Sequence, residues 1–497
     1  MTKSSACSRI SRIGGVWPEK MPNLKLEPLE RLDLRKCTTV GSIVLAMNQC
    51  SFGARMLGEV ALKMRRWIEQ GTKIRVVYDG SPLRNLFESM RTRGWIHDLV
   101  RSDALPALSS GFEHLVVGRY SESADDAIHR LDGAIVINKE ELSRPGQVRD
   151  GFFPDAVFAE PTFVLPVLFA ALSEWIDGRP TSIDDLFREL AKYPAGQRIV
   201  EGAETLHQMV ADPECMVFLT LSGAMTIAKM GLVICDMVDL GMVQVISSTG
   251  ALMAHGLIEG VGLRHYKHNP AHPDTFLAEH KLNRVTDTLE PEENFSHIEE
   301  VVDKVLTSFD GRDPISPSMF HDAIGKHLAK HFPNDRGILK STFEKKVPVL
   351  CPAFVDSEIG NDLYVHNARR KLDGRPPVIV WPEVDSELLI RKMTGTRRAG
   401  IFSIGGGVPR NNTQNVAPLI EIANERLGLE MPTRMFTYGC RISPDAMHHG
   451  HLSGCTYSEN GSWRKMDLEH GHFAEIRADA TQVWPFVVRY VMDRIEG

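Results

Sequence analysis

Between Cys215 and Glu259 the chain reads CMVFLTLSGAMTIAKMGLVICDMVDLGMVQVISSTGALMAHGLIE, and no other stretch limits the fold so tightly. The apolar run Met216 to Leu221 has the length of a strand buried on both faces, and Ser222, Gly223 and Ala224 follow it as a small-residue turn. Helical periodicity then runs to about Leu240, and a second strand-like run, Val243 to Ser247, ends in Ser248, Thr249, Gly250 and Ala251. Strand, helix and strand in this order make a βαβ unit, whose right-handed crossover sets both turns at the carboxyl edge of a parallel sheet. Ligands of open α/β sheets lie along that edge, where small residues before helix N-termini let phosphate oxygens reach backbone N–H groups. Neither turn is a GxGxxG fingerprint, so alone they say little about nucleotides.

The plan recurs downstream. VPVLCPAFVDSEIGNDLYVH (347–366) reads as a buried strand and an acid-bearing turn, in which Asp356 is either a ribose-hydroxyl acceptor or a helix N-cap. AGIFSIGGGVPRNNTQN (399–415) places Gly405, Gly406 and Gly407 where backbone can approach a ligand closely. The expected fold is α/β, an open, mostly parallel, doubly wound (Rossmann-like) sheet over residues 206–497. Residues 1–72 are expected to form a loose polar arm, to about residue 30, and two helices between Thr39 and Trp67 broken near Ser51-Phe52-Gly53. Within 73–205, the strand-like runs IRVVYDG, LVVGRY, GAIVIN and DAVFAE alternate with the helical segments DDAIHRL and PVLFAALSEWI, an inserted α/β subdomain without declared chemistry.

With 497 residues, 43% of them hydrophobic, the chain can bury a large core, and a net charge of −7 gives no reason to expect nucleic acid. Eight scattered cysteines without a CxxC suggest neither a zinc ribbon nor a disulfide framework. No window approaches the roughly eighteen apolar residues of a membrane span, and the N-terminus has no apolar signal core. A cytoplasmic protein with no membrane partner is expected. His265, His268, His272 and His280 lie in a segment with two prolines and no compact acid or cysteine partner, so they read as loop histidines and no metal is expected.

Chemistry concentrates in HHGHLSGCTYSENGSWRKMDLEHGHFAEIRADATQVW (448–484). Lys465 follows a glycine and serine loop (Gly454, Gly461, Ser462), two positions after Trp463 and six after Glu459. A lysine amine attacks carbonyls or imines only where burial or neighbours bring its pKa below the ordinary value of about 10.4. Most loop lysines are simply solvated.

SGCTYSENGSWRKM followed by IRADATQVWPFVV resembles the C-terminal signature of the deoxyhypusine synthase family: Ser-Gly, a glutamate, Ser-Trp-Gly-Lys, then Ala-Asp-Ala before an apolar helix. The resemblance extends from about residue 210 to 497, and more weakly to FGARMLGEVALKM near the N-terminus. It implies that Lys465 is a nucleophile that takes up an aminobutyl group as an imine, with Trp463 and Glu459 as the tunnel tryptophan and acid. It further implies an NAD site at Ser222, Gly223, Ala224, Ser248, Thr249, Gly250, Ala251, Asp356, Gly406, Gly450, Asp479 and Ala480. A homotetramer built from dimers, with the active site at a subunit interface, is also implied.

Five positions depart from that pattern. Arg464 stands where the family has Gly, Asn411 replaces a tunnel histidine, and Asn361 replaces an aspartate, with Asp362 one place off. His255 replaces a glutamate, and Leu452 replaces the aspartate before Ser453; His448, His449 and His451 are its polar neighbours and no acid adjoins it. Each carboxylate–ammonium bond lost would weaken polyamine binding by about 1.5–3 kcal/mol. His255, Asn411, Asn361, Asp362, Leu452 and Ser453 thus form a rewritten amine-recognition set. The expectation is the family's reaction type on a small amine or guanidine. The alternatives are a true deoxyhypusine synthase using spermidine and a translation-factor lysine, and an inactive NAD-binding homologue.

Overall fold

The computed structural model describes residues 24–80, 82–101, 111–118, 134–139 and 155–496. A first sheet comprises β1 (Ile74–Tyr78), β2 (Asp98–Arg101), β3 (Glu113–Gly118), β4 (Ile135–Asn138) and β5 (Ala156–Phe158), all parallel in the order β2-β1-β3-β4-β5. A second contains β6 (Cys215–Leu221) and β7 (Val245–Ser248). A small antiparallel sheet follows, of β8 (Tyr266–Lys267), β9 (Leu282–Val285) and β10 (Thr288–Pro291). The second sheet is completed by β11 (Val349–Leu350), β12 (Arg398–Ile404), β13 (Tyr438–Ile442) and β14 (His472–Ile476).

Its order is β11-β7-β6-β12-β13-β14, with every pairing parallel. The chain runs outward from β6 through β7 to β11, returns to lay β12 beside β6, and runs outward again through β13 to β14. This is the doubly wound order, and its switch point falls between β6 and β12. Strand β6 shows why its sequence lacks alternation. Val217, Leu219 and Leu221 enter the main core, while Phe218 joins Ile401, Leu389, Met393, Val416 and Ile420 on the opposite face.

Helices Val40–Met47 and Phe52–Glu69 stand where the periodicity puts them. The break between them is set from a distance: the buried Asp287 carboxylate accepts from Phe52 N at 3.1 Å and from Ser51 Oγ. Ile74, Val76, Leu115 and Ile135 of the first sheet belong to the same core as Val217 and Leu219 of the second, with helices Phe52–Glu69, Pro161–Asp177 and Pro194–Ala211 between.

Several boundaries differ from expectation. The helix after β6 begins only at Gly231, because Met225–Met230 turn first and Lys229 takes a left-handed φ of +72°. Strand β11 stops after two residues, since Pro352 offers no N–H to a ladder. Strand β2 was not foreseen; its burial is partial and its apolar signal weak. The polar arm does not extend to residue 30: Leu29 is buried, and its N–H donates to His265 O at 2.9 Å. The arm's first 23 residues and DDAIHRL lie outside the described residues. Among the described residues no cysteine is paired, and no helix is long and apolar enough to cross a membrane.

Candidate active site

Along the carboxyl edge of the second sheet the β6, β12 and β13 turns enclose a cleft of about 380 Å³. Ser222, Gly223, Gly405, Gly406, Gly407, Ser453, Asp479 and Ala480 line it, together with Asp445. Gly223, Gly405 and Gly407 have φ of +75°, +74° and +69°, which only glycine adopts without strain. Ser222 Oγ donates to Gly406 O, tying the β6 turn to the β12 turn. Gly406 is needed for space rather than conformation: an added Cβ would lie 2.3 Å from Ser453 Cα.

Asp479 is both a helix cap and part of the cleft wall. One oxygen caps the last helix by accepting from Thr481 N and Thr481 Oγ1, both at 2.6 Å, while the residue also lines the cleft. Burial raises its carboxyl above the usual range against those bonds.

Gly407 also borders a second cavity, about 280 Å³, lined by Lys465, Glu459, Trp463, Asn411 and Leu452, with Arg410, Gln414, Cys455 and Asn460. Lys465 is 5% exposed, and its Nζ donates to Asn411 Oδ1 at 2.9 Å. Burial first, then the Arg410 guanidinium, hold its amine below the ordinary lysine range, against a smaller opposing effect of Cys455. A neutral amide as acceptor suits this state, since a carboxylate there would favour the ammonium. Trp463 does less of the desolvation than its sequence position suggested, because it is 64% exposed with Nζ 5.6 Å from its ring. Glu459 is exposed on the cavity rim.

The loop carrying these residues is held by arginines the sequence reading did not single out. Arg441 donates to Ser453 O and Cys455 O at 2.6 and 2.5 Å and pairs with Glu475, and Arg410 donates to Cys455 O at 2.7 Å. An acid does stand near the Leu452 position, although on the side of the other cavity. Asp445, distant in the motif, accepts from Ser453 Oγ and faces the 380 Å³ cleft.

Arg464 has a φ of +53°. The position therefore demands a conformation natural to glycine, and the arginine carries strain without disturbing the adjacent amine. Arg464→Gly is expected to raise stability by about 0.5–1 kcal/mol, strain relief of about 1–2 being partly offset by the entropy of a freer unfolded chain. Its exposed pair with Glu421 counts for little. A denaturant titration checks this; a fall in the midpoint would show that Arg464 is not strained.

The remaining predicted residues line neither cavity. Gly250 is closely packed: a Cβ there would lie 2.6 Å from Ser357 Oγ, which sets the segment before helix Glu358–Leu372 against the Ser248-Thr249-Gly250-Ala251 turn. Asp356 is exposed, and Ser357 rather than Asp356 caps that helix. Ala224 and Gly450 border the turns without lining the cavities, and Gly450 has a φ of +72°.

His255 lies in another constellation. Lys229 Nζ bonds Glu259 Oε1 at 2.9 Å and His265 Nδ1 at 2.5 Å; His265 Nε2 meets Glu290, which also sits 3.3 Å from His255 Nδ1. His265 and His268 are in loops, as expected, yet buried. Two groups bring potential metal-ligand atoms within 4.8 Å of one another, His255-His265-Glu290 and Asp445-His449-His451, and only His265 belongs to the four histidines first considered.

Asn361 is exposed, while burial, then Glu299 and Glu358, push the Asp362 carboxyl up to about 7. A folded-state pKa above the unfolded value of about 3.9 stabilises the fold at low pH and ceases to do so as pH rises through 7. Asp362→Asn is therefore expected to match the parent's melting temperature near pH 4 and exceed it at pH 8. Parallel melting curves across that range would refute the shift.

A family model described as deoxyhypusine synthase matches residues 187–491. "Probable deoxyhypusine synthase 1" of Methanosarcina mazei is 30% identical over 315 residues, covering 63% of this chain and 92% of the relative. "Deoxyhypusine synthase-like protein" of Chlorobaculum parvum is 31% identical over 299 residues, 59% of this chain and 81% of the relative. With a model match over more than half of its length and the signature lysine buried beside the switch-point cleft, the chain belongs to the deoxyhypusine synthase family.

Proposed function

We propose that this protein is an NAD-dependent transferase that moves an aminoalkyl group, of aminobutyl type, from a donor amine to a small acceptor amine through an imine on Lys465. The observation that carries the reading is the buried Lys465 amine, depressed in pKa and bonded to a neutral amide. The switch-point cleft supports the cofactor assignment: left-handed glycines at the β6 and β12 turns leave room for backbone contacts to phosphates, and Asp479 lines the same cleft. NAD bound there would accept a hydride from the donor amine and later return it, so net redox is zero.

Lys465 does the rest of the covalent work. Once the donor's C–N bond is an imine, the neutral Nζ adds to its carbon, and the leaving amine departs with a proton as the chain becomes bound to Lys465. An acceptor amine then adds to the same carbon and releases Lys465, and reduction of the new imine completes the transfer. Asn411 orients Nζ, Trp463 flanks it, and Glu459 anchors an ammonium group or carries a proton.

Exposed apolar residues lie at the cavity, Trp463 and Leu452 at 64 and 43% exposed, and on the segments that carry its lining residues, Met447 and Val408 at 62 and 51%. We read them as a subunit contact in a cytoplasmic homotetramer, in which His255, Asn361, Asp362 and Asp356 of a second copy complete the site. The names of the relatives favour a second reading, spermidine as donor and a protein lysine as acceptor. Incubation with NAD and putrescine, spermidine, agmatine or arginine, followed by mass spectrometry, separates the two. Transfer between free amines is expected; activity only with the translation factor would establish the second reading, and no product with either would refute both.

A further inference from the structure

The 280 Å³ cavity contains a buried guanidinium with no ion pair among the described residues, the Tyr457 ring at 5.5 Å and the more distant Glu475 being what favours its charge. Arg410 is 3% exposed, and one nitrogen donates to Cys455 O at 2.7 Å. Its Nε and Nη1 have no partner, and it forms no ion pair among the described residues. One helical turn on, Gln414 is 2% exposed and its Nε2 is equally without a partner. Both residues lie on helix Gly407–Gln414 and border the cavity that holds Lys465.

Burying a guanidinium is costly unless something pairs with it, and orphaned buried donors are rare in folded proteins. The residue is anchored to the loop carbonyl, so it has no freedom to swing into water. The one carboxylate lining the cavity, Glu459, is exposed on its rim and serves an ammonium group; a wholly cationic amine would still meet the unpaired Arg410 charge, since Asn411 and Leu452 offer no further carboxylate. A carboxylate would meet a fork of two free guanidinium N–H groups and an amide N–H.

We infer that the substrate held beside Lys465 carries a carboxylate as well as an amine, an amino-acid-type diamine, and that Arg410 and Gln414 bind its carboxylate. This rests on the transferase reading for the part played by Lys465, but the anion subsite can be tested without turnover. Ornithine and putrescine share one diamine chain and differ by a single carboxylate.

Titrated calorimetrically into NAD-saturated full-length protein, ornithine is expected to bind at least about tenfold more tightly than putrescine, the value of one charge-assisted bond. In Arg410→Met that ratio should fall to about one, and in Gln414→Leu by a smaller factor. Because a buried position is altered, Arg410→Lys serves as the second variant. It keeps the charge without the fork and should retain an intermediate preference. Equal binding of the two ligands, preference for putrescine, binding of neither, or a ratio unchanged in Arg410→Met would each overturn the anion subsite. Borohydride trapping on Lys465 in the same samples reads the transferase proposal separately. An ornithine preference without any adduct would leave the subsite standing and remove the imine.

Discussion

Lys465→Ala is expected to abolish the borohydride-trappable adduct and to lower turnover by on the order of 10³-fold or more, with the fold and cofactor binding retained. Truncation leaves Asn411 Oδ1 without its donor, a loss small beside that of the nucleophile. The parent should show the matching pH signature. Because burial and Arg410 lower the Lys465 pKa, the neutral amine appears at lower pH than in free lysine, and adduct formation should rise and level off below the ordinary lysine range. Arg410→Met, by removing the second of those causes, should move that inflection to higher pH. Full turnover by the alanine variant would dismiss Lys465 as the nucleophile, whatever the fate of the anion subsite.

Lys229→Met is expected to cost about 3–5 kcal/mol of stability, the largest effect outside the Lys465 cavity. Lys229 and Glu259 have side chains 2 and 4% exposed and meet at 2.9 Å. Methionine fills the same space but leaves Glu259 buried without its ammonium and His265 Nδ1 without its donor. The double variant Lys229→Met/Glu259→Gln should recover much of the loss, since the penalty comes from an orphaned charge rather than from the absent pair. Denaturant unfolding of the four proteins measures the coupling; additive losses would mean that the two residues act separately.

These two lysines mark how far the sequence could be read. Lys465 was legible because its signature is local: a fixed order of serine, tryptophan and lysine within one loop. The β6 and β12 turns were legible for the same reason, each being a buried apolar run stopped by small residues. Lys229 gave no signal, because its partners Glu259 and His265 lie 30 and 36 residues on and only packing brings them together. Asp445 was missed as the acid near Ser453, and Asp287 as the cap of helix Phe52–Glu69, a contact 235 residues apart. The unpaired donors of Arg410 and Gln414 are invisible without coordinates, since a sequence shows which residues are polar but not which are left without partners. The turn after β7 was read for its small residues alone; that its glycine also makes room for Ser357 is set by a segment distant in sequence.

The contact between the first helices and the last has a bearing on where this enzyme can be cut. Ala54 N donates to Thr481 Oγ1 at 3.0 Å, Gln482 Nε2 donates to Gly53 O at 3.3 Å, and a side chain on Gly53 would come within 3.1 Å of Asp479 Cγ. Gene dissection at the start of the recognisable family portion would strip the buttress from behind the cleft's aspartate and bare a greasy helix face. The region most easily dismissed as a foreign appendage is thus masonry for the catalytic half, and the two are expected to fold only together.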